Sequence, residues 1–321
     1  MSVTLRLAGS ALVLLATLGP AEAPAASGIG ERCRAAVAKL LASFDEPQTE
    51  RARLELDSPH RQRWSRHPAP RAGIALHEMS VEQRALVSEL LGIVLSPRGL
   101  ARVEEIRREQ DVLAKVEDDM GRDYFWLAVF GEPAAAGRWS WRLGGHHVSM
   151  HFTFEDDRLV SCTPFSLSSE AVLEERSGRN ALERRASLAR ELVASLAADA
   201  AHRAIVSEAA SGRLERSEVR AFRIGEPEGL AASALTEEQR ATLLELVADY
   251  FLDLAPAISK GLVAEVRALP VGDLHFAWAG PVRGEDANQA YRVQGPDFLL
   301  EWSGSRAHDH SVWRRSDDFG G

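Results

Sequence analysis

Cysteine is scarce: Cys33 and Cys162 are the only two in 321 residues. That excludes a small fold stapled by several disulfides and any Cys-x-x-Cys metal or redox motif. An oxidising compartment would permit one bridge between them. Ser161-Cys162-Thr163-Pro164 matches no nucleophile motif. The chain also lacks a Gly-rich phosphate loop, a Gly-x-Ser-x-Gly elbow and a His-Glu-x-x-His helix, because His77-Glu78 has no second histidine where a zincin needs one. Nucleotide-binding P-loop enzymes, α/β-hydrolases and zincins are thereby disfavoured. Positive charge is the minority sign, with 38 Lys+Arg against 47 Asp+Glu and a net charge of −9. An acidic chain without a basic stripe is a poor nucleic-acid binder and has no polybasic cluster for anionic lipids. Beyond the N-terminus no apolar run is long enough to span a bilayer.

What is present describes a globular protein. A hydrophobic fraction of 45% with 26% charged residues is ordinary for a packed domain and too apolar for disorder. The length suits one large domain or two of common size. The N-terminus stands apart. Arg6 precedes an apolar stretch over residues 7–18, followed by Pro20 and the small residues Ala21, Ala23, Ala25, Ala26 and Ser27. This is the layout of a cleaved signal peptide of about 26 residues, with cleavage expected after Ala25 or Ala26. Arg6 and Glu22 leave together, so the mature charge is unchanged. The expectation is export to the periplasm or the extracellular space, with no membrane span in the mature chain.

The most aromatic part of the chain leads into Trp139-Ser140-Trp141-Arg142-Leu143-Gly144-Gly145-His146-His147, and Val148, Met150, Phe152 and Phe154 then alternate with Ser149, His151 and Thr153. That period of two predicts a strand with one core face and one polar face, His147 and His151 on the polar one. Residues 33–44 read as an amphipathic helix. A second helix starts at Ser80 with a capping box to Gln83 and stops at Pro97, and a third covers 99–119. Residues 124–130 read as a strand, 155–182 as loop and 183–210 as one long helix.

From there the chain repeats itself. Leu40-Leu41-Ala42-Ser43-Phe44 corresponds to Leu192-Val193-Ala194-Ser195-Leu196, and Gly73 with Ser80-x-x-Gln83-Arg84 corresponds to Gly229 with Thr236-x-x-Gln239-Arg240. The strand 124–130 corresponds to 274–280, and Trp141-Arg142-x-x-Gly145 to Tyr291-Arg292-x-x-Gly295, all at a separation of about 150–156 residues. The expected fold is α+β: two pseudo-symmetric repeats over 34–160 and 183–321, joined by 161–182. Each repeat would pack helices on a small antiparallel sheet, forming one compact unit. The tail from His308 onward has no counterpart in this alignment and reads as an extension of the second copy.

Trp141-Arg142-x-x-Gly145-His146-His147, Arg292-x-x-Gly295-Pro296, Glu301, His308-x-His310-x-x-Trp313-Arg314 and Asp318-Phe319-Gly320 together resemble the bacterial family called domain of unknown function 3500. Phe130-Gly131-Glu132-Pro133 and the two Gln-Arg helix starts fit the same pattern, while His151 stands where Asn is expected. The resemblance implies an exported bacterial protein and brings no reaction with it.

His308 and His310 are the leading candidates for chemistry. On a strand they share a face at roughly 6.5–7 Å, from which two imidazoles can converge on an ion at about 2 Å. Glu301 on the preceding strand would add a carboxylate, and His147 a further ligand from the first copy. Such a set suits iron or zinc and leaves positions open for water or substrate. His146 faces the core and reads as a buried, hydrogen-bonded histidine. Arg142 and Arg292 hold equivalent places, either in an Arg–carboxylate pair on each strand or, for Arg142, as a clamp for a substrate carboxylate. Two functions follow. One is a metal-dependent exported enzyme, oxidative or hydrolytic, with Glu301 and Arg142 serving catalysis and His147, His308 and His310 holding the metal. The other is a non-catalytic module that binds a small molecule or peptide.

Overall fold

The computed structural model describes residues 28–115, 120–170, 181–210, 224–284, 287–305 and 307–316. The expected signal peptide and Asp318-Phe319-Gly320 lie outside them. In chain order the first half comprises α1 (Ile29–Ala42), α2 (Glu46–Ala52), β1 (Arg53–Leu54), β2 (Ile74–Ala75), α3 (Val81–Val94), α4 (Pro97–Leu113), β3 (Phe125–Phe130), β4 (Arg138–Gly145), β5 (Val148–Glu155), β6 (Arg158–Ser161) and β7 (Phe165–Glu170). The second half comprises α5 (Glu183–Ser195), α6 (Ala198–Ala204), β8 (Ile205–Ser207), β9 (Leu230–Ala231), α7 (Glu237–Phe251), α8 (Pro256–Ala268), β10 (His275–Ala279), β11 (Gln289–Gln294), β12 (Phe298–Gly304) and β13 (His308–Arg315).

All strands belong to one sheet ordered β1-β3-β4-β5-β7-β13-β12-β11-β10-β8. Read inward from either edge, the same kinds of strand follow in the same order. The outermost pairs, β1 with β3 and β8 with β10, are parallel; the pairs between them are antiparallel. The fold is thus α+β with a largely antiparallel sheet, as the alternating patterns led us to expect.

Local chemistry sets the helix starts. Ser80 caps α3 and Thr236 caps α7, each in a capping box with the glutamine three residues on, Gln83 or Gln239. Each glutamine also donates from its amide across to the end of a preceding helix, Gln83 to the Ser43 carbonyl at 2.7 Å and Gln239 to the Ser195 carbonyl at 2.9 Å. Trp139, Trp141, Leu143, Val148, Met150, Phe152 and Phe154 from β4 and β5 join Phe298, Leu300 and Trp302 from β12 in one apolar core, each at most 3% exposed. Burying each large side chain is worth about 1.5–3 kcal/mol.

Three segments depart from the sequence reading. α4 ends at Leu113 rather than near residue 119. The long helix is two, α5 and α6, because Leu196 and Ala197 adopt extended backbone, with no glycine or proline to mark the break. Residues 155–182, read as loop, contain β6 and β7. The last point changes the architecture. β13 pairs with β7 at the middle of the sheet and stands in the second half where β7 stands in the first. The His308–Arg315 strand is therefore an integral strand with a structural counterpart, not an added tail.

The halves meet reciprocally. Leu95 bridges Leu254, the Ser96 N–H donates to the Asp253 carbonyl at 2.9 Å, and the Ala255 N–H donates to the Val94 carbonyl at 2.8 Å. Beneath this contact Arg102 donates to both Asp253 oxygens at 2.8 Å, Arg98 reaches Asp253 and Asp249, and Arg185 bonds Asp249 at 3.2 Å and also Asp253. Arg185, Asp249 and Asp253 are at most 1% exposed. Burial alone would raise the Asp249 carboxyl, but Arg185, Arg102 and Arg98 hold it below the usual carboxylate range. Removing one member strands a buried charge, which costs about 3–5 kcal/mol. Asp253→Ala is therefore expected to lose that much stability in urea unfolding. Lys39→Ala, which breaks the exposed Lys39–Glu89 pair, should stay within about 1 kcal/mol. Comparable losses for the two variants would refute this account of the seam.

Candidate metal centre at the seam of the sheet

The sheet has two buried faces of different character. Helices cover the apolar one. Over the first half, the connection between β1 and β2 covers the other. There Ser140 and Arg142 of β4, Ser149 and His151 of β5, and Ser166 and Ser168 of β7 are all at most 4% exposed. Arg142 fastens that connection. Its Nη1 donates to the His60 and Arg63 carbonyls at 2.7 and 2.9 Å, and its Nη2 to the Ala72 carbonyl at 2.7 Å. The His147 N–H donates to the Arg66 carbonyl at 3.3 Å, tying the same segment to the hairpin between β4 and β5.

His146 and His147 form the two-residue turn of that hairpin, since Gly145 pairs with Val148. Gly145 has to be glycine, because a Cβ there would sit 2.6 Å from a Phe125 ring carbon. His147 is left-handed, at φ 65°, a conformation that costs a side-chain-bearing residue about 1 kcal/mol. Strain of this kind concentrates at working sites. The Ser168 N–H donates to the His147 carbonyl at 2.8 Å, carrying the β5–β7 ladder onto the turn.

The ladder between β7 and β13 then supplies the remaining groups. His308 lies opposite Glu170 and His310 opposite Ser168, so His308, His310 and Glu170 share the polar face. His147 Nε2 stands 3.3 Å from His308 Nε2, and Glu170 Oε1 lies 3.8 Å from the first and 3.6 Å from the second. One ligand atom from each of His147, His308 and His310 falls within 4.8 Å of the others, and His146, His147 and Glu170 form an overlapping group. Two nitrogens bound at about 2 Å to one tetrahedral ion are separated by about 3.3 Å. The His147–His308 separation therefore matches that of two ligands on one ion, and His310 lies within 4.8 Å of both. The His308 side chain is 43% exposed while that of His147 is 1% exposed, so the group is buried at its base and open on one side.

The electrostatics favour the ligand form. Burial first, then the charges of neighbouring His308 and Arg71, lowers His146 to about 4. Burial, with Arg66 next, lowers His310 to about 2. Burial and the surrounding imidazoles hold His147 well below its ordinary value. These rings are neutral at pH 7, the state in which imidazole binds a metal.

The sequence-predicted residues divide. His147, His308 and His310 come together. Glu301 does not join them: Arg292 donates to its Oε1 from Nε at 3.0 Å and Nη2 at 2.7 Å. It faces a small pocket that His310, Trp64 and Arg66 also line. Among the described residues, the carboxylate beside the imidazoles is Glu170. Arg142 and Arg292, equivalent in sequence, differ in company: Arg292 has a cross-strand carboxylate, whereas Arg142 stands opposite His151. Arg314 stacks over Trp64 at 5.7 Å. His146 donates from Nδ1 to Gln110 Oε1 at 2.7 Å, so it is hydrogen-bonded as expected. Cys33 and Cys162 are buried thiols, and burial pushes Cys33 up to about 12.

Sequence reasoning missed Glu170, Gln110 and Glu109. Glu109 Oε1 accepts from the Ser169 hydroxyl at 2.8 Å, and its Oε2 accepts from the Glu170 N–H at 3.0 Å, so α4 braces the backbone that carries Glu170. Burial raises the Glu109 carboxyl to about 7. One signal was available: Gln110 falls on the helix stripe of Val103, Ile106 and Leu113, where a polar residue needs an internal partner.

His151 gives a pH test. It is buried, and burial, then the charges of Arg142 and Arg61, keep it well below its ordinary value. Below about pH 6.5 the unfolded chain takes up a proton at this residue and the folded chain does not, so stability falls with falling pH by up to about 1.4 kcal/mol per unit. His146, His147 and His310 add slope of the same sign, so chemical unfolding at pH 7.5, 6.5 and 5.5 should show at least that fall, reduced in His151→Asn. Equal slopes would refute the assignment.

No curated protein and no solved structure matches the chain. A family match does exist, and it spans both halves and every residue of the histidine group. Over residues 28–321 the chain matches the family described as Protein of unknown function (DUF3500), and it belongs to that family.

Proposed function

We propose that the protein is an exported, metal-dependent enzyme that uses its ion for hydrolytic or oxidative chemistry. Its ligands are His147, His308 and His310, with Glu170 completing the set. The observation that carries this is the convergence of Nε2 of His147 and Nε2 of His308 at 3.3 Å, with Glu170 Oε1 3.6 Å from the latter. Groups from both halves of the chain, far apart in sequence, supply it. Neutral imidazoles with one carboxylate suit zinc or iron(II), and the open side at His308 leaves room for water or substrate. Such an ion would polarise a substrate oxygen or lower the pKa of bound water. Glu301, held by Arg292 and facing the pocket beside His310, contributes negative charge near the centre without being a ligand. The apolar stretch at residues 7–18 and the small residues after it support export. No helix among the described residues is long and apolar enough to cross a membrane. The repeats 34–160 and 183–321 form one scaffold, and the site lies where they join.

The test is metal uptake by the mature chain purified without a histidine tag. About one equivalent of zinc is expected, with cobalt(II) giving the visible absorption of a tetrahedral site. His308→Ala and Glu170→Gln should each weaken zinc binding by about 10–100-fold or more. Less than about a tenth of an equivalent of zinc, iron or cobalt after reconstitution would overturn the reading.

A further inference from the structure

A cavity of about 370 Å³ opens beside the metal centre, under the connection between β1 and β2. That volume suits a small molecule. Its wall includes Arg63, Arg71 and Arg142 together with Trp64 and His60, and among the described residues no carboxylate lines it; Arg71 also donates to the Ala69 and Ser65 carbonyls at 2.6 and 3.2 Å. Trp64 also lines the pocket that contains His310, so the two pockets share the indole. Arg71 is close enough for its charge to act on His146.

Arg142 is the unusual member. It is 2% exposed. Three of its N–H groups go to backbone carbonyls, and its Nε–H is buried with no acceptor. Among the described residues no carboxylate pairs with it. Burial and the charge of Arg71 lower it to about 10. The second half shows what such a position ordinarily requires. Arg292, the equivalent residue, is matched by Glu301 at 2.7 Å and Glu228 at 3.6 Å. By the repeat alignment these two acids correspond to His151 and Ala72 in the first half. One half neutralises its arginine internally; the other replaces both acids and leaves a cavity lined by cations.

We propose that this cavity binds the carboxylate or phosphate group of a small anionic substrate, with Arg142 at its base and Arg63 and Arg71 at its wall. Assigning that anion to the reaction at the neighbouring ion rests on the metal reading above; the binding itself does not. A guanidinium fork suits either oxyanion, and a partly desolvated arginine holds one more strongly than a surface lysine would.

The experiment is calorimetric titration of the full mature chain with succinate and, separately, with inorganic phosphate. Each is run after chelation and again after zinc loading, with zinc content measured independently. Saturable binding of one probe is expected in both forms, and the preferred probe identifies a carboxylate or a phosphate substrate. The Arg63 side chain is exposed at the cavity and makes no hydrogen bond among the described residues, so Arg63→Gln should fold normally. It should weaken binding by at least about tenfold, with partial rescue in Arg63→Lys. Arg71→Gln should do likewise, whereas Lys39→Gln, an exposed cation elsewhere, should stay within about twofold. Anion binding by a chain that takes up no zinc would support the site and detach it from a metal reaction. Absence of binding by both probes up to about 10 mM, or affinities unmoved by both arginine substitutions, would overturn the proposal.

Discussion

The pairing of β7 with β13 is the constraint on which the site depends. Its register places His308 opposite Glu170 and His310 opposite Ser168. A slip of β13 by one residue would turn His308 and His310 toward the helices. The register is fixed from below. Arg185, already bonded to Asp249 and Asp253, donates from Nη1 to the Ser311 hydroxyl at 2.7 Å; that hydroxyl donates to the Leu167 carbonyl at 3.0 Å, and the Ser166 hydroxyl donates to the Ser311 carbonyl at 3.0 Å. A continuous polar path thus runs from the buried ion cluster between the halves to the two central strands. Buried ion pairs seldom add net stability over an apolar replacement, but they are intolerant of misplacement. Here that intolerance falls on the ladder that aligns the histidines.

How much of this could be read from the chain differs by element. The alternation from Val148 to Phe154 and the two capping boxes at Ser80 and Thr236 are local patterns, and they form as local patterns predict. β7 alternates as well, with Phe165 and Leu167 between Ser166 and Ser168. Its serines and the proline before it resemble loop composition, and only pairing with β13 makes the polar residues buried. Glu170 follows such a segment with nothing local to distinguish it, and its role appears only when a strand some 140 residues later is laid beside it. Glu301 is the converse. It sits next to the His-x-His strand in sequence and on the sheet, yet the arginine directly across from it captures its carboxylate.

The same backbone plan carries two electrostatic designs. In the second half Arg292 and Glu301 pair across β11 and β12 on the outer face of the sheet. In the first half the cross-strand partner of Arg142 is a buried histidine that its charge helps keep neutral. The guanidinium turns instead to the carbonyls of the overlying connection. Carbonyl dipoles satisfy hydrogen bonds without cancelling a charge. Two halves alike in strand order are thus unlike in their polar groups, and the difference lies beside the histidines.

Unsatisfied polar atoms extend this argument. Natively buried polar groups rarely lack partners. Among the described residues, the sheet's own atoms without partners on the loop-covered face of the first half include Arg142 Nε, His147 Nδ1 and Ser168 Oγ. All three belong to residues that hold, form or adjoin the histidine group. Each costs on the order of 1–3 kcal/mol if left dry. Alternative packing could have relieved that cost by placing an acid at 151 or an apolar residue at 168, as the pairing of Arg292 with Glu301 shows for the first. The chain instead keeps the cost where solvent can enter past His308 and where the cavity opens. On the proposed reading, an ion with its water and an anion beside it would supply the kind of partners these positions lack. The fold itself holds the positions at the seam between its two halves.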